Sequence, residues 1–133
     1  MNEDIYVNKD SFDAALMSVG CALEATKAVI TNPNSAAFAA IRPPGHHASA
    51  ETACGFCIFN NVAICAKKAR QLGVERVLIL DWDVHAGQGT QYSIEDDPNI
   101  KLISIHRYES GHFWPNLSES AVENSCLYYQ ICR

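Results

Sequence analysis

The chain lacks a basic, apolar leader: it opens on the acidic, polar stretch MNEDIYVNKD, and no apolar run in the sequence approaches the length of a bilayer span. A soluble intracellular protein, cytoplasmic or nuclear, is the expectation. It is also sparing with charge, at 19% of 133 residues, and 10 Lys and Arg against 15 Asp and Glu leave a formal net charge of −5. That balance offers no general attraction to nucleic acid or to an anionic membrane, and neither is expected as a partner. There is no internal repeat, low-complexity segment or linker, and the length is that of one domain. Six cysteines, at 21, 54, 57, 65, 126 and 132, lie mostly in apolar stretches and read as reduced and buried.

What the sequence has is an alternation of helical and extended patterns. In SFDAALMSVGCALEATKAVIT (11–31), Phe12, Leu16, Val19, Leu23, Thr26 and Ile30 recur at four- and three-residue steps, the period of an amphipathic helix. Asp10 or Ser11 is placed to cap it, and Asn32-Pro33 to stop it. AAFAAIR (36–42) reads as a short buried strand running into a Pro43-Pro44-Gly45 loop. From Asn60 or Asn61 a second helix sets Val62, Cys65, Ala66, Ala69 and Leu72 on one side, with Gly73 at its C-cap.

RVLILD then reads as a strand, its continuous apolarity fitting a central position, and GQGTQYSIED as a turn with a short helix. IKLISIH (100–106) is a further strand. This rhythm predicts an α/β fold with a parallel sheet covered on both faces. The closing AVENSCLYYQICR shows no periodicity and follows a strand left uncovered, so the domain reads as incomplete.

Chemistry gathers at two places. In DWDVHAGQGTQ (81–91), Asp81, Asp83 and His85 occupy every second position and would share one face if the extended geometry of the strand persisted to residue 85. They would then converge at the carboxyl end of a parallel strand, where open α/β sheets place ligands. Carboxylate oxygen and imidazole nitrogen are zinc donors; the plainer alternative is that the acids cap the next turn and His85 is a hydrogen-bonded core histidine. In RPPGHH (42–47), two prolines and a glycine hold adjacent histidines in a loop. Taken together, a metal pair and a histidine pair that can serve as base and acid make metal-assisted hydrolysis the leading reaction class.

RPPGHHA (42–48), CGFCIFNNVAI (54–64), DWDVHAGQGTQ (81–91), EDDPNI (95–100) and SIHRYESGHFWP (104–115) together resemble the zinc-dependent histone deacetylases of class II, and within it the class IIb type. The resemblance covers roughly residues 4 to 117, leaving 118–133 as a divergent tail. It implies an arginase/deacetylase fold, a three-layer α/β/α sandwich, present here in part, and hydrolysis of N-acetyl-lysine to lysine and acetate. By that likeness Asp83 and His85 are two of three zinc ligands, His47 the general base and acid, and His46 its electrostatic partner oriented by Asp81. Phe56 and Trp114 become walls of the acetyl-lysine tunnel, with Gly55 at its rim; without the likeness both aromatics would be read as core packing. A structural potassium ion is implied at Asp81, Ser104 and the carbonyls of Asp83, His85 and Ile105.

Three departures from the family pattern stand out. Ala86 replaces a second histidine that many relatives carry, and Gln88 stands where class I enzymes place an aspartate behind the base histidine. The family's third zinc-ligating aspartate and its carbonyl-polarising tyrosine belong to downstream motifs that this sequence does not show; Tyr128 and Tyr129 lack the surrounding motif. The expectation is an inactive 133-residue polypeptide of deacetylase descent. Its alternatives are a non-catalytic binding or regulatory module, an acetylpolyamine deacetylase, and a redox or zinc-knuckle use of Cys54-x-x-Cys57.

Overall fold

The computed structural model describes residues 6–121 and the backbone of 128–130. Helix α1 (Ser11–Thr31) and helix α2 (Asn61–Gln71) precede strand β1 (Val77–Asp81), helix α3 (Gln88–Ile94), strand β2 (Ile100–His106) and the short strand β3 (Tyr128–Gln130). The strands run parallel in the order β1-β2-β3, with Val77 opposite Ile100, Asp81 opposite Ser104, and Ser104 opposite Tyr128. From α2 to β2 the alternation read from the sequence is the chain's architecture, whereas β3 lies in the tail, whose sequence shows no periodicity. The tail cysteines, Cys126 and Cys132, lie outside the described residues.

The core joins Ala63 and Ala66 of α2 and Ile94 of α3 to Ile79, Ile100 and Leu102 of the sheet. Burying these side chains drives the helices onto one face at about 25 cal/mol per Å² of apolar area. The opposite face of β1 is open: Leu78 and Leu80 are exposed. This corrects the expectation of a central strand buried on both sides, because β1 is the edge of the described sheet.

Helix α1 has the predicted span but packs on a different stripe. Ala15, Ser18 and Ala22 are its buried residues, while Phe12 and Leu16 are exposed, because small side chains let two helix backbones approach and large ones are pushed to the margin. Phe12 meets Phe59 edge-on there, ring centroids 6.0 Å apart. Neither Asp10 nor Ser11 caps α1 through its side chain. By length and composition α1 could cross a bilayer, with a mean hydropathy of 1.3, which corrects the reading that no run approaches a span; here it packs along α2.

In α2 the Asn60 side chain accepts the Ala63 N–H, fixing the start, and Gly73 takes a φ of +92° just beyond the end. Its buried residues are Asn61, Ala63, Ala66 and Ala69, whereas Val62 and Leu72 are exposed. The 36–41 stretch has no regular secondary structure and pairs with no strand among the described residues, and Phe38 is exposed; the expected buried strand is not formed there.

Candidate active site

Strand β1 ends at Asp81, and regular extended geometry ends with it. The expected same-face alternation to residue 85 is replaced by two side-chain turns: Asp83 N–H donates to Asp81 Oδ1 at 3.1 Å, and His85 N–H donates to Asp83 Oδ1 at 2.8 Å. The acids do cap the turn, and each also holds an imidazole. Arg107 N–H donates to Val84 O at 2.9 Å, tying this turn to the end of β2.

His46 Nδ1–H donates to Asp81 Oδ2 at 2.8 Å, and His47 Nδ1–H donates to Gln88 Oε1 at 2.8 Å. The two rings are 3.8 Å apart, His46 Nε2 is 3.9 Å from Asp83 Oδ1, and the His47 and His85 rings are 5.9 Å apart. All four predicted ionisable residues therefore gather beside His47 at the carboxyl edge of the sheet. Glycine makes the approach possible. A Cβ at Gly87 would stand 2.5 Å from Asp81 Oδ2, and one at Gly89 would stand 2.3 Å from the carbonyl oxygen of Ala48.

Burial lowers the pKa of His47 to about 4; the nearby His46 and His85 add to the fall, and the Gln88 bond opposes it. With Nδ1–H given to Gln88, the neutral ring keeps its lone pair at Nε2. Burial pushes the Asp83 carboxyl upward, but the hydrogen bonds from His85 and the nearby imidazoles outweigh it, so its pKa is lowered. Asp83 is thus held as a carboxylate.

His85 Nδ1–H donates to Asp83 Oδ1 at 2.9 Å. A carboxylate oxygen and an imidazole nitrogen this close suit one zinc ion in kind and in spacing, since such bonds are about 2.0–2.2 Å long. Among the described residues no cluster of three His, Cys, Asp or Glu side chains forms a metal site, so the pair fits as part of a ligand set. Ser104 is fully buried opposite Asp81 in the strand register. His106 Nε2–H donates to Ser120 O at 2.9 Å, and its Nδ1 lies 2.8 Å from the Ser104 hydroxyl oxygen.

Trp114 stands edge-on to His47 at 4.5 Å. Gly55, at φ +52°, fits between them: a Cβ there would be 2.5 Å from His47 Cδ2 and 2.6 Å from Trp114 Cη2. Phe56 follows at φ +65° and is 61% exposed, facing solvent rather than packing in the core. Phe113, not singled out from the sequence, stacks on His85 with centroids 5.3 Å apart and carries the Arg107 guanidinium on its ring at 4.6 Å. Its only signal was an aromatic beside Trp114.

The Cys54-x-x-Cys57 pair forms a tight bridge, each N–H donating to the other's carbonyl, at 3.0 and 2.8 Å. Both thiols are free, and burial pushes Cys57 up to about 11, the reverse of an activated thiol. This geometry does not favour the redox alternative.

A carboxylate and imidazole donor pair beside a neutral, hydrogen-bonded histidine is the equipment of a metal-dependent hydrolase. The family described as "Histone deacetylase domain" matches residues 1–128, and the chain belongs to that family. It is 51% identical over 117 residues to a polyamine deacetylase, HDAC10, of Rattus norvegicus, covering 87% of this chain and 20% of that protein. It is 43% identical over 127 residues to the histone deacetylase clr3 of Schizosaccharomyces pombe, covering 93% of this chain and 18% of that protein. The crystal structure of the HDA15 HD domain superposes with a TM-score of 0.87 at 40% identity, over 92% of this chain and 35% of that one. The fold is thus the arginase/deacetylase fold, and the chain spans about a fifth of the length of these relatives.

Proposed function

We propose that this chain carries the base histidine and two zinc-ligand positions of a hydrolase of N-acetylated primary amines. Its substrate is acetyl-lysine in a histone or other protein, or an acetylpolyamine. The observation that carries the reading is the meeting of a neutral His47, backed by Gln88, with the Asp83–His85 donor pair. Zinc, on which the family generally depends, supplies Lewis acidity and lowers the pKa of bound water.

His47 takes the proton of the attacking water at Nε2 and returns it to the leaving amine. His46, held by Asp81, is the electrostatic partner. Asp83 and His85 hold the metal, and Gly55, Phe56 and Trp114 line the way in for an aliphatic chain, for which flat apolar rings are suited. Asp81 and the lone pairs of Ser104 suit a potassium ion behind the site. The cellular setting is cytoplasmic or nuclear.

The 133-residue chain alone is inactive on this reading. Among the described residues only two donors are paired for zinc, which would hold it weakly, and a site without a carbonyl-polarising donor loses about 3–4 kcal/mol of transition-state stabilisation. The test is acetate release from an acetyl-lysine peptide and from an acetylpolyamine, with zinc present, using the chain alone and a longer protein containing it. Activity is expected in the longer protein and lost in its His47→Ala form; hydrolysis indifferent to His47→Ala overturns the assignment. Zinc-dependent release by the chain alone, abolished by Asp83→Ala, overturns its inactivity. A second reading, a non-catalytic binding module, is favoured by the exposed Leu78 and Leu80 on the open face of β1, an apolar surface suited to a partner.

A further inference from the structure

The histidine pair sits in a loop, and loops do not hold geometry by themselves. Three carbonyls of the Pro43–Ala48 stretch are nevertheless tied to the helices. Ser18 Oγ of α1 donates to Pro43 O at 3.1 Å, and Asn61 Nδ2 donates to the same carbonyl at 3.2 Å and to Ser18 Oγ at 3.0 Å. Thr90 N–H of α3 donates to His46 O at 3.0 Å. Asn60 Nδ2 donates to Ala48 O at 2.9 Å and to Thr90 Oγ1 at 3.2 Å, while its Oδ1 caps α2.

All four side chains are buried: Ser18 is 3% exposed, Asn60 6%, Asn61 7% and Thr90 0%. Buried polar groups are kept only when satisfied, and each of these is satisfied on the histidine loop or on another member of the set. Gly45 adds a close fit, since a Cβ there would be 2.6 Å from the Asn61 nitrogen. The carbonyls held are those before, within and after the His46-His47 pair.

We infer that Ser18, Asn60, Asn61 and Thr90 are positioning residues, which fix the backbone on both sides of His46 and His47 and so aim both rings. None touches a reacting atom. The functional meaning rests on the hydrolase reading, but the positioning can be measured without catalysis.

The experiment is proton exchange of the His47 Nδ1–H with water, followed by NMR on the imidazole-labelled 133-residue chain, with the buried His106 ring as internal reference. Asn60→Asp keeps an acceptor for the Ala63 N–H and removes the donor to Ala48; Thr90→Val keeps the shape and removes the hydroxyl that Asn60 holds. In both, exchange at His47 is expected to rise roughly tenfold or more with His106 unchanged, and Thr90→Ser is expected to restore the native rate. An unchanged His47 in either folded variant overturns the inference. So does a parallel rise at His106, which would mean general loosening. If Asn60→Asp does not fold, the Val and Ser pair at Thr90 decides. Loss of the hydrolase reading would leave these exchange rates untouched, so the two failures are distinguishable.

Discussion

Gln88 Oε1 accepts the Nδ1–H of His47 at 2.8 Å, so an uncharged amide stands where a carboxylate would stabilise the imidazolium. Burial then dominates and holds His47 at about 4. Gln88→Glu is expected to raise the His47 pKa by more than about 1 unit, read by NMR titration of the ring. No rise would mean that the group behind the ring does not set its proton affinity.

The same depressed value makes stability depend on acid. His47 is about 4 in the folded chain and 6.5 ordinarily, so its contribution is present above about pH 6.5 and lost as pH falls toward 4. The loss amounts to roughly 3 kcal/mol at most. Chemical denaturation at stepped pH should show it, and His47→Gln should flatten this limb.

Tyr92 donates to Glu119 at 2.5 Å, and burial, reinforced by that carboxylate, pushes the phenol up to about 12. The folded value lies above the ordinary 10, so the contribution is complete below pH 10 and lost as pH rises through 12. Ultraviolet titration of phenolate should find one late tyrosine that Glu119→Gln moves downward.

Zinc binding at Asp83 Oδ1 and His85 Nδ1 must displace the proton of the hydrogen bond between them. Calorimetry in buffers of different ionisation enthalpy should record proton release with binding. Asp83→Asn and His85→Ala should each weaken binding by tenfold or more, taking about 1.4 kcal/mol per tenfold. Equal affinity in either variant would place the metal elsewhere.

Two glycines should behave oppositely when changed to alanine. Gly89→Ala drives a Cβ to 2.3 Å from the Ala48 carbonyl oxygen and 2.5 Å from the His47 carbonyl carbon, which the backbone must yield to. A loss of about 1–3 kcal/mol in urea unfolding is expected. Gly20→Ala in α1 meets nothing within 4 Å and should gain about 0.5–1 kcal/mol.

Local periodicity made the elements legible. Residues 11–31 and 100–106 have the bounds read from the sequence because the Asn32-Pro33 stop and the apolar spacing are properties of the neighbouring residues themselves. The packed faces were less so: α1 buries Ala15, Ser18 and Ala22 because the choice is made by how closely α2 can approach, which no single-helix pattern encodes. The hydrogen-bonded pairs His46–Asp81 and His47–Gln88 join residues that only family likeness, and no local pattern, had set side by side. Phe113 behind His85 and the ties on the histidine loop depend on residues brought together from distant segments, and so had no local signature.

The site is mounted on two separate supports. His47 and His46 ride on a loop pinned to three helices, whereas Asp83 and His85 hang from the end of β1. The 2.8 Å bond from His46 to Asp81 spans the joint between them. Asp81 therefore couples two machine parts: a slip of the helical layer along the sheet would register at its bond to His46, as a change in the gap between the histidine loop and the Asp83–His85 pair.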